Sequence, residues 1–236
     1  MRQNKIALWS GPRNISTAMM YSFGNRNDTS IVDEPLFGYF LNHTGVWRPS
    51  RDEVLASMET DPNEVLTKLC DPKIDTPIYF IKNMANHLID LDWSILKEFK
   101  NIILTRDPKK VLLSFDVNVK SPTLLDVAYQ IQLELLNFLK KNNLHYIVMD
   151  ADQVLANPEM SIKNLCIDLS IPFDKKMLSW NPGPRREDGV WAKYWYDNVH
   201  ESTGFKRMNS KDLELPQHLE GLYMECLNYY NNILIK

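Results

Sequence analysis

Residues 6–20 read IALWSGPRNISTAMM, and this stretch decides the predicted fold. Its first four residues are apolar, which is the length of a buried strand rather than that of a helix. A short turn with one glycine and one proline follows, and a helix is predicted from Ser16 to Asn25. A strand that passes through a tight turn into a helix is the building unit of a parallel α/β sheet.

The same alternation of short apolar runs and helical stretches continues along the chain. Strands are predicted at 5–10, 77–82, 101–105 and 145–149, with a weaker one at Ile31 and Val32. Helices are predicted at 84–98, 108–119, 122–141, 158–169 and 215–233. This order predicts an α/β fold of three α/β/α layers with a mostly parallel central sheet. No internal repeat or low-complexity linker divides it, so a single domain over residues 1–236 is expected.

The composition narrows the classes of function. The chain has 27 basic and 30 acidic residues, a net charge of −3, which argues against a nucleic-acid or membrane-surface binder. No apolar run exceeds four residues, so no transmembrane helix is expected. The three cysteines are scattered and odd in number, which predicts reduced thiols and a cytoplasmic location. The histidines do not follow metal-ligand spacing, so no metal is expected.

The turn after the first strand is a candidate anion site. It comprises Gly11, Pro12, Arg13, Asn14, Ile15, Ser16 and Thr17. Free N–H groups at the start of a helix attract negative charge, and Arg13 adds a cation while Ser16 and Thr17 add hydroxyl donors. The alternative is an ordinary turn in which Ser16 is the N-cap. No Gly-Lys pair precedes Ser16, so this is not a Walker A loop with its magnesium-holding hydroxyl.

A second candidate site follows the strand at 101–105. Arg106 ends that strand, Asp107 is predicted to cap the next helix, and Pro108 takes its first position. Ser114 lies about two turns into the helix, and helical side chains tilt toward the N-terminus. Arg106 and Ser114 can therefore share one phosphate; the alternative is a surface arginine and a helix serine that never meet.

Together the two segments resemble the PAPS-dependent sulfotransferases. In that family a loop P-[KR]-[ST]-G-[ST]-T binds the 5′-phosphosulfate, and R-[DN]-P-x-x-x-x-x-S binds the 3′-phosphate. Residues 12–17 match the first motif, with Asn14-Ile15 in place of Ser/Thr-Gly, and residues 106–114 match the second with its spacing. Residues 148–158 and 171–174 also resemble family segments, and the resemblance covers about residues 5–195.

The resemblance implies a P-loop NTPase-like fold and an activity. It implies transfer of a sulfuryl group from PAPS to a hydroxyl or amine of a small-molecule acceptor, in line and without a metal. Residues 184–191 are similar to the family's basic loop over the 3′-phosphate, which would place Arg185 and Arg186 there. The family's Arg-Lys-Gly order is not reproduced, and a solvated loop is the alternative.

The resemblance also suggests catalytic residues. Arg13 and Lys82 are expected to donate to the leaving bridging oxygen. Lys82 ends a predicted strand, and the alternative is that its side chain lies on the surface. Cytosolic members carry Lys-Thr-His here with the histidine as base, but this chain has Met84 in its place. Glu34 is therefore the predicted general base, with Asp33 as competitor, and His87 is expected on a helix face as an ordinary polar residue.

Two other functions stay open at this level. One is a P-loop kinase that uses Mg-ATP to phosphorylate a small metabolite. The absence of a Gly-Lys-Ser/Thr sequence from the loop counts against it. The other is a non-catalytic nucleotide-binding relative, which the Asn14-Ile15 departure keeps open. Four aromatic residues just after Glu34 are candidates for an acceptor pocket or for the core: Phe37, Tyr39, Phe40 and Trp47.

Overall fold

The computed structural model describes residues 3–206 and 214–235. Five strands form one sheet in the order β2-β3-β1-β4-β5, and all paired strands are parallel. They are β1 Asn4–Ser10, β2 Thr29–Asp33, β3 Ile78–Met84, β4 Lys100–Thr105 and β5 Tyr146–Asp150. The predicted strands are confirmed, including the weak one, which becomes the edge strand β2.

Helices pack on both faces of the sheet. They are α1 Ser16–Gly24, α2 Phe37–Thr44, α3 Arg51–Ser57, α4 Pro62–Cys70, α5 Pro108–Phe115, α6 Leu124–Val127, α7 Tyr129–Lys141, α8 Ala151–Ala156, α9 Pro158–Asp168, α10 Ala192–Trp195, α11 Asp197–His200 and α12 Glu220–Leu234. Short 3-10 turns occur at Ala85–Leu88, Trp93–Glu98, Lys175–Leu178 and Gln217–Leu219. Within the described ranges, no helix is both long and apolar enough to cross a bilayer.

The two faces of the sheet carry separate cores, because successive side chains of a strand point to opposite faces. Ala7 and Trp9 of β1 pack in the core that includes α5, α7 and α12. Ile6 and Leu8 pack in the core that includes α1, α8 and α9. This arrangement confirms the predicted three-layer α/β/α architecture with a parallel central sheet.

The helix predicted at 84–98 is wrong. Strand β3 continues through Met84, and two 3-10 turns follow it. Asp90, between the turns, has a left-handed φ of 54°, and the Asp92 carboxylate caps the second turn by accepting from the Ser94 N–H. The left-handed backbone at Asp90 and the local hydrogen bond of Asp92 interrupt the predicted continuous helix. His87 is therefore buried beside the end of β3 rather than on a helix face.

The helix predicted at 122–141 is divided into α6 and α7. Ala128 lies between them with a left-handed φ of 64°. Thr123 and Asp126 form a capping box, in which each side chain accepts the other residue's backbone N–H, and this closes the single turn of α6. The break between α6 and α7 places the Asp126 side chain near the edge of the sheet at which the strands end.

A third apolar cluster covers the edge of the sheet at which the strands end. It joins α2 and α3 to the segment 191–196, and its buried members are Phe37, Phe40, Leu41, Val54, Trp191, Ala192 and Tyr196.

Candidate functional site

A cavity of about 800 Å³ opens at the carboxyl ends of the strands, where parallel α/β sheets bind ligands. Its walls come from the loop before α1, the ends of β2 and β3, the start of α5, and the segment 191–206. The sequence-predicted site residues that line it are Pro12, Arg13, Asn14, Ile15, Ser16, Thr17, Glu34, Lys82, Arg106 and Ser114. Gly11, Arg185 and Arg186 are outside this lining.

The loop before α1 leaves the start of the helix open. Helix α1 begins at Ser16, and Ile15 occupies the cap position in the left-handed conformation without a side-chain cap. The alternative in which Ser16 is the N-cap is therefore wrong. Because no side chain accepts from the first N–H groups of α1, they are available to an anion in the cavity.

Two residues hold this loop against the sheet. The buried Asn14 side chain donates from Nδ2 to the Leu104 carbonyl oxygen at 3.0 Å. A Cβ at Gly11 would lie only 2.8 Å from the Val127 carbonyl oxygen, so this close approach requires glycine. Asn14 and Gly11 thus shape the loop through packing with neighbouring segments.

The two predicted phosphate motifs meet at Arg13. Arg13 Nε donates to Ser114 Oγ at 2.8 Å, and Arg106 Nη1 donates to the Arg13 carbonyl oxygen at 2.9 Å. Arg106 Nε is buried without a hydrogen bond, and the nearest carboxylate oxygen, from Asp152, is 3.6 Å away. Burial, and then the neighbouring charge of Arg106, lower the pKa of Arg13. Two adjacent guanidinium groups with an unused donor form a local environment suited to an anion.

Lys82 is fixed by the protein itself. Its side chain is 1% exposed, and Nζ donates to Asp33 Oδ1 at 2.9 Å, to Glu34 Oε1 at 2.5 Å and to the Tyr196 hydroxyl at 2.5 Å. Burial alone would lower the pKa of Lys82, but attraction to Asp33 and Glu34 outweighs it and the pKa lies well above its usual value. All three ammonium donors are used, so a bond from Lys82 to a ligand requires one of these partners to be exchanged.

Glu34 and Asp33 differ in what they present to the cavity. Asp33 Oδ1 accepts from Lys82, and Asp33 Oδ2 accepts from the Tyr196 hydroxyl at 2.7 Å, so both of its oxygens are used within the protein. Glu34 lines the cavity, and only its Oε1 accepts a hydrogen bond from the residues described. Burial raises the pKa of Glu34 despite the opposing attraction of Lys82, which makes it a better proton acceptor.

Arg185 and Arg186 depart from their predicted position at the 3′-phosphate. The Arg186 side chain is 92% exposed and pairs with Glu187. The Arg185 guanidinium lies 4.0 Å from the centre of the Tyr21 ring and donates to the Tyr21 carbonyl oxygen. Asp188 accepts from the Tyr21 hydroxyl at 2.7 Å and thereby anchors the loop to α1, away from the cavity.

Sequence reasoning missed several residues of the site. Lys109 and Lys110 line the cavity in the first turn of α5, and their place directly after Asp107-Pro108 is a signal that could have found them. Tyr196, which contacts both Asp33 and Lys82, is more than 100 residues away along the chain and has no such signal. Arg48 and His87 also line the cavity.

Comparison with known proteins agrees with this architecture. The family model described as "Sulfotransferase domain" matches residues 4–234. Two Arabidopsis thaliana proteins, branched-chain-amino-acid aminotransferase-like proteins 1 and 2, are 38% and 35% identical over 227 residues, 96% of this chain. The chain spans about 40% of the length of these curated relatives.

Solved structures show the same fold. The sulfotransferase domain from the curacin biosynthetic pathway has a TM-score of 0.55 at 16% identity, covering 98% of each chain. Retinol dehydratase in complex with retinol and PAP has a TM-score of 0.52 at 12% identity, covering 99% of this chain and 82% of that one. Since the family model covers nearly the whole chain, the protein belongs to the sulfotransferase family.

Proposed function

We propose that the protein transfers a sulfuryl group from PAPS to a hydroxyl or amine of a small-molecule acceptor. The observation that carries this proposal is that Arg13, Arg106 and Ser114 line the same cavity as Glu34, which accepts a hydrogen bond from Lys82. The cavity joins an anion site to a carboxylate that can accept a proton. The three cysteines are free thiols, which supports the proposed cytoplasmic location.

The residues at the anion site fit PAPS. The uncapped N–H groups of α1, with Arg13, Ser16 and Thr17, would hold the 5′-phosphosulfate. Arg106 and Ser114 would hold the 3′-phosphate, and the buried, unpartnered Arg106 Nε is a donor without another role. The complex of retinol dehydratase with PAP supports this assignment by analogy of fold.

PAPS supplies an activated sulfuryl group: its bond to the bridging phosphate oxygen breaks as a bond to the acceptor oxygen or nitrogen forms. Arg13 stabilises the negative charge that develops on the bridging oxygen. Glu34 accepts the acceptor's proton on Oε2, since Oε1 is already bonded to Lys82. Lys82 holds that carboxylate in place, and its predicted bond to the bridging oxygen follows only if one protein partner is released.

Two observations weigh against the alternative functions. The loop has no Gly-Lys-Ser/Thr sequence, which a magnesium-dependent kinase uses to hold its metal. Ile15 adopts the left-handed φ of 58° that glycine would adopt easily, so the Asn14-Ile15 departure preserves a tight loop and is no longer an argument for a non-catalytic relative.

The test is transfer from ³⁵S-labelled PAPS to a panel of alcohols, phenols, amines and hydroxy acids, with and without EDTA. We expect labelled product and stoichiometric 3′,5′-ADP in both conditions. Two results would contradict the proposal and favour the kinase: transfer of the label that is abolished by EDTA, or phosphorylation of panel compounds from Mg-ATP.

A further inference from the structure

Part of the cavity wall is aromatic. The rings that line it are Phe37, Phe40, Phe115, Trp191 and Trp195. Two side chains with N–H donors, Arg48 and His87, are set among these rings. Polar groups placed in an otherwise apolar pocket fix the orientation and identity of the ligand.

Arg48 is a buried cation with unused donors. It follows α2, and the residue is 8% exposed. Nη2 pairs with Asp126 Oδ1, Nη1 donates to the Trp47 carbonyl oxygen at 2.8 Å, and the guanidinium carbon lies 5.8 Å from the centre of the Phe115 ring. Among residues 3–206 and 214–235, Arg48 Nε has no hydrogen-bond partner. A guanidinium has five N–H donors in a planar fork, so it can hold a second oxygen-bearing group beside Asp126.

Asp126 is the ion-pair partner of Arg48. Its other oxygen, Oδ2, accepts from the Thr123 backbone N–H and from the Thr123 hydroxyl, both at 2.7 Å. The pair is neutral as a whole, so Arg48 offers a ligand its remaining N–H donors rather than an unpaired positive charge.

His87 is a neutral donor beside it. The ring is 2% exposed and stacks on Phe37 at 5.1 Å and against Phe40 at 4.7 Å between centroids. Burial, and then the charges of Lys82 and Arg48, lower the pKa of His87 well below its usual value. Nδ1 is buried without a partner, and orphaned acceptors are tolerated better than orphaned N–H groups, so the proton belongs on Nε2. Nε2 is then the nitrogen left to donate to a ligand in the cavity.

Resting on the proposed function, we propose that the acceptor is a carboxylic acid with an apolar or aromatic body, whose carboxylate is held by Arg48 and His87. The hydroxyl or amine that receives the sulfuryl group then lies near Glu34, and the body of the acceptor lies between the aromatic rings. Arg48 and His87 are specificity-determining residues in this account.

The test measures binding by calorimetry, with and without saturating 3′,5′-ADP. The probes are 2-hydroxy-3-phenylpropanoate, 3-hydroxy-3-phenylpropanoate and 3-(4-hydroxyphenyl)propanoate, each beside its primary amide. We expect at least one acid to bind about tenfold or more tightly than its amide, the usual scale of a charge-assisted hydrogen bond.

Two variants test the assigned residues. Arg48→Lys keeps the cation beside Asp126 but lacks the Nε–H, and His87→Phe keeps the stacked ring but lacks the donor. In each, we expect the acid preference to fall several-fold while thermal melting and 3′,5′-ADP affinity stay close to wild type.

Amides that bind as well as their acids, a panel in which no acid binds, or an acid preference unchanged in both variants would overturn the inference. Failure of 3′,5′-ADP to bind would instead contradict the proposed function. The preference for acids over amides would still be measured in the titrations that contain no 3′,5′-ADP.

Discussion

The two ends of the cavity are built in different ways. The anion end, by which we mean the lining residues within 12–17 and 106–114, comes from two continuous stretches, and its proposed ligands are backbone N–H groups and arginines. The acceptor end is assembled from side chains scattered between residues 34 and 196, tied together by Tyr196 and by the Arg48–Asp126 pair. A donor common to many enzymes can be bound by a short motif, whereas acceptor recognition depends on tertiary packing.

The largest effect should come from Glu34, the proposed general base. Glu34→Gln keeps the shape of the side chain and removes the proton acceptor. We expect kcat to fall on the order of 10²- to 10⁴-fold, the usual scale for loss of acid–base help. The affinity for 3′,5′-ADP should be nearly unchanged, which calorimetry checks.

Asp33→Asn separates the two neighbouring carboxylates. Both Asp33 oxygens are bonded within the protein, so we expect it to lower stability more than the chemical step. Normal turnover in Glu34→Gln together with a lost chemical step in a folded Asp33→Asn would move the base to Asp33.

Arg106→Ala should affect the anion end alone. It would remove the proposed charge-assisted bond to the 3′-phosphate, worth roughly 1.5–3 kcal/mol or about ten- to a hundredfold in affinity for 3′,5′-ADP. The affinity for 5′-AMP, which lacks that phosphate, should change little. Arg186→Ala is the matched control because its side chain is 92% exposed, and it should bind both ligands as wild type does. Equal losses for the two ligands in Arg106→Ala would contradict the assignment.

Tyr196→Phe tests how the acceptor end is held together. It removes a hydroxyl that donates to Asp33 and accepts from Lys82. Hydrogen bonds to charged groups contribute roughly 1.5–3 kcal/mol, so the free energy of unfolding should fall by about that amount in urea titrations. Tyr194→Phe, on the same segment but half exposed, is the control and should be neutral. An unchanged stability of Tyr196→Phe would show that this network does not hold the segment.

The smallest effect concerns the backbone of the anion loop. Ile15 has a left-handed φ of 58°, which costs a residue with a Cβ about 1–2 kcal/mol. Ile15→Gly and Ile15→Ala lose the same side-chain packing, but only glycine relieves that strain. Because glycine also costs about 0.5–1 kcal/mol of unfolded-chain entropy, Ile15→Gly should be more stable than Ile15→Ala by up to about 1 kcal/mol. Thermal melting compares the two variants, and a higher melting temperature for Ile15→Ala than for Ile15→Gly would contradict the left-handed conformation at residue 15.

The sequence predicted the sheet and the start of α5 well, because both depend on local patterns. Short apolar runs identified the strands, and Asp107-Pro108 located the start of α5, where Asp107 does accept from the Lys109 N–H at 2.8 Å. The contact between Arg13 and Ser114, 101 residues apart, was not predicted; it forms because parallel strands end at one edge of the sheet.

The acceptor end could not be predicted in the same way. His87 lines the cavity from a 3-10 turn, Ala85–Leu88, in a stretch for which the sequence predicted a continuous helix. Of the four aromatic candidates after Glu34, Phe37 and Phe40 line the cavity, whereas Tyr39 is buried elsewhere and Trp47 is exposed. Arg185 lies over the Tyr21 ring rather than in the cavity lining, a tertiary contact that a basic loop in the sequence does not reveal.

The central claim is that the anion end is a site for PAPS, and ligand affinity tests it most directly. Calorimetry should compare 3′,5′-ADP, 5′-AMP and Mg-ATP on the wild-type protein, with EDTA in the first two titrations. We expect 3′,5′-ADP to bind at least about tenfold more tightly than 5′-AMP, since the 3′-phosphate adds charge-assisted bonds. Equal affinities for those two ligands, or binding of Mg-ATP without binding of 3′,5′-ADP, would contradict the claim.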